Sequence, residues 1–412
     1  MTHIPQHWAV KRRAEQTSSD LFLPAEAIEV RKMARSFADE VLRPLAHEIN
    51  CTPERRDGFR HDVFDAIAAA GLYKVPFAKD VGGLGLDYPT LGTIIVLEEL
   101  GYYSAGIASA MFDGQGILVG TTLDRVGGHL RETWLPKLVR GEFVGSFATS
   151  EPMASTDLSV QATQTAAVEV EGGWRISGTK RWITNSVAAD ILLVLCRTGA
   201  SLTAFLVDMK AEGVSVSDPD QKMGNHAQLT ADITLDNVFV PADAVLGEVG
   251  KGLRTMLAAL SLGRMGIGAV GVGMAQRALD VAAHYTTERH VFGQPIARFQ
   301  HWQFTFADHA MELEATRSLV HKAAMIYDTT GDPEPFAAMA KIKGSQIAVD
   351  VARDAIQACG GYGFARHITG EDQPWPLEAI YRDAKIGEIY EGANEVQRWV
   401  IARSLFGREV TS

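Results

Sequence analysis

The sequence predicts a multi-domain α+β chain: an N-terminal α-helical domain, a middle β-barrel or sandwich, and a C-terminal four-helix bundle. Three patterns point to it. Apolar residues recur near a 3.6-residue period up to about Arg140, and short β-branched runs parted by turn residues fill 141–247. Helical spacing returns after Gly250 and continues to the end of the chain. Strands and helices do not alternate, which argues against a βαβ architecture. The length of 412 residues corresponds to two to four domains at roughly 100–200 residues each.

Each part has its own signals. Ile28, Val30, Met33, Phe37, Val41 and Leu45 define a first helix framed by Pro24 and Pro44. Pro89 starts a later helix whose face opens with Leu91, Ile94, Ile95 and Glu98, while Gly71 and Gly82-Gly83 mark breaks. Strands are expected within 143–150, 163–170, 174–176, 191–196, 203–207 and 233–240. Beyond them, Leu253, Met256, Leu257 and Leu260 open a bundle helix, and Val396, Trp399, Val400 and Arg403 close the chain. The expected boundaries are a flexible extension at 1–22, helices at 23–140, the β-domain at 141–247 and the bundle at 248–412.

Composition excludes several classes. A net charge of −11 repels a phosphate backbone and argues against nucleic acid as a partner. Cys51, Cys196 and Cys359 stand far apart with no CxxC pair, which reads as reduced thiols rather than a disulfide framework or a zinc site. No apolar run approaches the roughly 20 residues of a bilayer span. The first residues lack a signal-peptide pattern, so the expectation is a cytoplasmic protein without membrane insertion.

One motif is a decoy. Gly266-Ile267-Gly268-Ala269-Val270-Gly271 matches GxGxxG, yet no strand precedes it and helical spacing runs through it. The glycines are expected to let two bundle helices approach closely. Walker A and GxSxG patterns are absent, and the histidines show no metal-ligand spacing, so no metal is expected.

Four segments carry chemistry. They are Phe147-Ala148-Thr149-Ser150-Glu151-Pro152-Met153-Ala154-Ser155-Thr156-Asp157; Gly178-Thr179-Lys180-Arg181-Trp182-Ile183-Thr184-Asn185; the pair Glu288 to Gly293 and Gln357 to Gly363; and Tyr381-Arg382-Asp383-Ala384-Lys385 followed by Ile389-Tyr390-Glu391-Gly392-Ala393-Asn394-Glu395-Val396-Gln397-Arg398. Together they resemble the acyl-CoA dehydrogenase family, from about Ala25 to Phe406.

The resemblance implies FAD held between the β-domain and the bundle. Phe147, Ser150 and Thr156 would contact the flavin, Trp182 would cover its ring, and Thr184 would hydrogen-bond near N5. Arg289 would pair with the pyrophosphate from a neighbouring subunit, with Phe292, Gln357, Gly360 and Gly361 beside it. Ala393 and Glu395 complete the implied cofactor set. Thr156, Ser261, Arg264, Tyr390 and Gly392 would meet the substrate. Glu391 is the implied catalytic base, because removing a proton α to a thioester carbonyl needs a carboxylate desolvated toward neutrality.

The same likeness implies a homotetramer and an electron-transfer flavoprotein as electron acceptor. Some family members carry their base at the position of Gly263, which cannot titrate here. The acidic residue that often meets the pantetheine arm is Ser261, so a carrier-protein thioester stands beside acyl-CoA as a possible substrate. An acyl-CoA oxidase and a non-catalytic flavoprotein of the same fold are rival readings of the chain. His226 and Gln228 stand where the family usually has Arg and Ser. Met153 and Ser155 replace glycines of the first motif. The stretch Ala365 to Pro374 looks inserted and reads as an irregular exposed loop: either a tolerated surface insertion or, with Trp375, a segment that reshapes the acyl entrance.

Overall fold

Helix α1 (Ala25–Phe37) runs almost unbroken into α2 (Arg43–Cys51) through a π turn at Ala38–Leu42. Pro44 therefore does not end the first helix, contrary to the sequence-based expectation; it lies in the first turn of α2. Proline has no N–H to give and crowds the carbonyl four residues back, and the wider π turn opens the ladder where that happens. The structure, a computed structural model, describes residues 10, 12, 20–154, 156–370, 375–407 and 409–411. Ser155, Glu371, Asp372 and Pro374, and most of the expected N-terminal extension, lie outside the described residues.

The N-terminal part continues with α3 (His61–Ala69), α4 (Pro89–Gly101), the π-helical α5 (Ala108–Thr121) and α6 (Gly128–Val139). Helix α4 is not amphipathic: every residue from Leu91 to Gly101 is buried. Its two acids are neutralised inside the protein. Glu98 meets Arg317 at 2.8 Å and His321 at 3.2 Å, and Glu99 meets Arg35 at 3.0 Å. Such paired burial lets a charged residue sit where sequence patterning places a surface.

Seven strands form one curled sheet: β1 (Gly145–Ala148), β2 (Ala166–Val170), β3 (Gly173–Thr184), β4 (Ile191–Thr198), β5 (Ser201–Asp208), β6 (Val214–Val216) and β7 (Thr230–Pro241). Their order is β1-β4-β2-β3-β7-β6, with β5 also on β4. The strand expected at 174–176 extends to Thr184, so it carries the Trp182 motif at its end. Strand β6 has no counterpart among the strands expected from sequence.

The bundle is built from α7 (Gly252–Glu288), α8 (Gln300–Thr330), α9 (Phe336–Cys359), α10 (Leu377–Ile386) and α11 (Asn394–Phe406). The GxGxxG glycines are helical and let backbones touch. A Cβ on Gly268 would lie 2.7 Å from the Ala340 carbonyl, and one on Gly271 only 2.1 Å from that of Gly344. Helix α7 is also long and apolar enough to cross a membrane, contrary to the expectation from apolar runs. Glycine and alanine interrupt such runs without adding charge, and 72% of its most apolar window is buried in the protein, as befits a core helix. All three cysteines are free, and burial pushes the Cys196 thiol up to about 12.

Candidate active site

The site forms where the end of β3, helix α5, the first half of α7 and the turn between α10 and α11 converge. Strand β3 loses register with β7 between Lys180 and Ile183, and Trp182 occupies the resulting bulge at φ +58°. A left-handed non-glycine residue is strained, and such strain concentrates at functional positions. The bulge turns the indole outward, 55% exposed. Lys180, beside it, points inward and pairs with Glu151 at 2.8 Å, both nearly fully buried. Glu151 also accepts the N–H groups of Gln164 and Thr165, which ties it to the segment leading into β2.

Thr184 lies inside this surface and accepts a hydrogen bond from Gln228 Nε2 at 3.0 Å. The departure at Gln228 thus has a local role. His226 is engaged by Arg382 at 3.1 Å. Asn185 Oδ1 and Ser186 Oγ are buried without a partner. An exposed indole face, a hydroxyl and unsatisfied polar atoms along one edge fit a flat, polar-rimmed heterocycle such as a flavin.

Glu391 stands opposite, also left-handed at φ +54° and followed by Gly392 at φ +93°. These two residues reverse the chain between α10 and α11 and aim the carboxyl at α7. A Cβ on Gly263 would sit 2.1 Å from Glu391 Oε2. The second base position that the family uses and Glu391 therefore converge on one spot, and glycine at 263 is what leaves room for the carboxyl. Burial raises the Glu391 pKa, partly offset by Asp113, Lys341 and Arg264. Tyr390 Oη lies 3.0 Å from Ser109 Oγ on α5, closing the slot on that side.

Arg264 is next to this carboxyl but is held by Glu334 at 2.6 Å. Ser261 is half-buried one turn earlier on α7. Lys341 on α9 is fully buried, donates to Asn394 Oδ1 at 2.9 Å and has its pKa lowered to about 8, chiefly by desolvation. Sequence reasoning missed both Lys341 and Asp113. Asp113 is the one acid in the apolar, small-residue run from Ala105 to Gly120, and that oddity was its available signal.

A second group of named residues lies far along α7 from this slot. Arg289 is 26 residues from Gly263, about 39 Å along α7 at 1.5 Å per residue. Around it, Gln357, Gly360 and Gly361 are exposed, and Phe292 is 96% exposed at φ +51° in a hairpin turn. Phe147 and Ser150 are half-buried at the end of β1, Thr156 is exposed, Ala393 caps α11 and Glu395 is exposed in its first turn. Trp375 is not at an entrance: it is 2% exposed and packs edge-on against Tyr285, at the Arg289 end of the bundle. The described part of the inserted loop is tied to α2, where Arg366 donates to the Asn50 carbonyl at 3.1 Å.

Comparison with known proteins places the chain in a family. The acyl-CoA dehydrogenase N-terminal, middle and C-terminal domain families match residues 24–142, 146–238 and 250–406. A 3-(aryl)acrylate reductase of Clostridium sporogenes is 36% identical over 91% of this chain and 97% of its own. The mitochondrial short-chain specific acyl-CoA dehydrogenase of Rattus norvegicus is 33% identical over 96% of this chain and 93% of its own. A glutaryl-CoA dehydrogenase of Mycobacterium smegmatis, solved in complex with FADH2, superposes with a TM-score of 0.87 at 25% identity, covering 96% of this chain and 98% of that one.

The chain belongs to the acyl-CoA dehydrogenase family. It is an oxidoreductase acting on CH–CH bonds, with FAD as its cofactor and acyl-CoA dehydrogenation as its general activity.

Proposed function

We propose that this protein abstracts the α-proton of an acyl thioester with Glu391 and so makes the 2-enoyl thioester. One observation supports this most directly: the Glu391 carboxyl is desolvated and lies over Gly263, which has no side chain to supply a base itself. Desolvation raises its proton affinity toward that of an α-carbon activated by a thioester. The Glu391 backbone N–H would hold the thioester oxygen, Tyr390 and Gly392 would flank the acyl group, and Ser261, Arg264 and Thr156 would line its approach. When bound, FAD supplies an acceptor for the hydride leaving Cβ. Trp182 and Thr184 would hold it, with Phe147, Ser150, Ala393 and Glu395 from the same chain.

The separation of Arg289, Phe292, Gln357, Gly360 and Gly361 from that slot supports their gripping the cofactor of a neighbouring subunit, in a homotetramer. The reading further includes an electron-transfer flavoprotein as redox partner, CoA rather than a carrier protein on the thioester, and a cytoplasmic location. It also sets the domain boundaries at 140/141 and 247/248. The reductase relative is named for aryl-bearing acrylates, which adds aryl groups to the substrates worth testing. Anaerobic titration of the holoenzyme with short-chain, branched and arylpropionyl-CoAs tests the reading. Bleaching of the flavin absorbance by at least one acyl-CoA is expected. No bleaching by any of them, with bleaching by an acyl carrier protein, moves the substrate to the carrier.

A further inference from the structure

Asp113 lies in the middle of α5 and is 1% exposed. The other polar side chains of that stretch are engaged: Ser109 with Tyr390, and Gln115 with the Phe143 carbonyl and the Gly145 N–H. Asp113 Oδ1 has no donor, and neither has Glu391 Oε2. The two carboxyls meet over adjacent turns of α7. A Cβ on Gly266 would lie 2.5 Å from Asp113 Oδ1, just as one on Gly263 would lie 2.1 Å from Glu391 Oε2. On the other side, a Cβ on Gly114 would lie 3.8 Å from Thr184 Cγ2 and 3.6 Å from Asn185 Nδ2. Asp113 thus occupies the gap between the base and the surface read as the flavin face.

The Asp113 and Glu391 carboxyls come together over neighbouring turns of α7, close enough for each to act on the ionisation of the other. Two ionised carboxylates have no proton to share, so one of them must be neutral. The surroundings decide which. Lys341 on α9 and Arg264 on α7 act on Glu391 and favour its ionised form. Asp113 feels only burial and the negative charge of Glu391, and both favour its neutral form. The other charged or titratable groups nearby are Tyr390, Glu388 and Glu395 on the turn and α11, and Glu334, which holds Arg264.

We propose that Asp113 is a positioning residue for the base: it remains a neutral carboxylic acid and donates a hydrogen bond to the Glu391 carboxylate, aiming it across the slot. This rests on the reading of Glu391 as base. The device answers a conflict in the site. Burial that makes Glu391 basic also drives it to hold a proton, and a protonated base is useless; a neutral donor keeps it ionised without adding charge.

The test uses FAD-loaded protein with Asp113→Leu, Asp113→Asn and Glu391→Gln. Asp113→Leu removes the donor, so the acidic limb of the pH profile for anaerobic flavin reduction should move to higher pH. At neutral pH the rate should fall about 10- to 100-fold, the kinetic worth of one hydrogen bond to a charged group. Asp113→Asn keeps an N–H donor and should recover most of that rate, with its limb near the wild-type position. Infrared difference spectra, wild type minus Asp113→Asn at neutral pH, should show the carbonyl stretch of a protonated carboxyl. A limb that stays put in Asp113→Leu, or no protonated-carboxyl signal, overturns the inference while an inactive Glu391→Gln keeps the base. A wild-type rate in Glu391→Gln removes the base itself and overturns both.

Discussion

The two ends of α7 differ in a way that explains how one helix serves two tasks. At Gly263 and Gly266 the surroundings are closed: two carboxyls, Lys341 and Arg264 are packed among apolar residues, each with a neighbour of opposite charge or a shared proton. At Arg289 the surroundings are open, with Phe292, Gln357, Gly360 and Gly361 exposed. Desolvation gives the first end chemistry, because charge interactions strengthen where water is excluded. Exposure suits the second end to the proposed subunit contact, since an exposed aromatic and a guanidinium are typical anchors of an interface. On the proposed function, a single chain carries a whole base and half of a cofactor grip.

The largest expected effect tests the closed end. Glu391→Gln should keep FAD bound while flavin reduction by a good acyl-CoA falls on the order of 10²–10⁴, the usual contribution of a positioned base. Stopped-flow reduction under anaerobic conditions measures it, and a wild-type rate would show that the closed end is only packing.

Next is the anchor of the slot. Glu151→Ala leaves Lys180 charged and buried without its partner, which typically costs about 3–5 kcal/mol. Denaturant unfolding should register that loss, together with weaker flavin retention. A midpoint close to wild type would mean that water reaches Lys180.

At the open end, Arg289→Ala should lose one charge-assisted contact, about 1.5–3 kcal/mol, and this should appear in FAD content and in assembly size together. Ultracentrifugation of a variant that stays fully yellow and equally assembled would separate Arg289 from any shared site. The comparison then fails at that end only.

Proton linkage gives a smaller, signed effect at the closed end. Burial holds the Glu391 pKa above its unfolded value, so the native state binds more protons and stability falls as pH rises from the ordinary carboxylate value through the raised one. Activity changes in the opposite sense, because only the ionised form accepts a proton. Glu391→Gln should flatten the fall in thermal stability as pH rises above the ordinary carboxylate range. Equal slopes in both proteins would place the titration elsewhere. The smallest effect belongs to Phe292→Ser, which should change folding stability by no more than about 0.5 kcal/mol, as for most surface positions, yet weaken assembly.

Much of this was legible in the residue order. Helical and strand periodicities located the three parts, and the context of Gly266 to Gly271 correctly marked it as helix packing rather than a nucleotide loop. The Trp182 and Glu391 motifs were legible through their resemblance to the acyl-CoA dehydrogenase family, because each is a short run of adjacent residues. The errors share one cause. Pro44, the face of α4, the apolar length of α7 and the position of Trp375 were judged from neighbours in sequence, but a π turn, buried ion pairs and inter-helix packing decided them.

The sequence by itself determined which segments are helix or strand and which residue types stand in the motifs, since both depend on local sterics and burial period. It could not show that Asp113 faces Glu391, 278 positions away. Nor could it show that Gly263 leaves the space the Glu391 carboxyl occupies, or that Arg289 lies far along α7 from the same slot. Those facts were decided by the tertiary structure, because proton sharing and desolvation act over a few ångströms of space, whatever the distance along the chain.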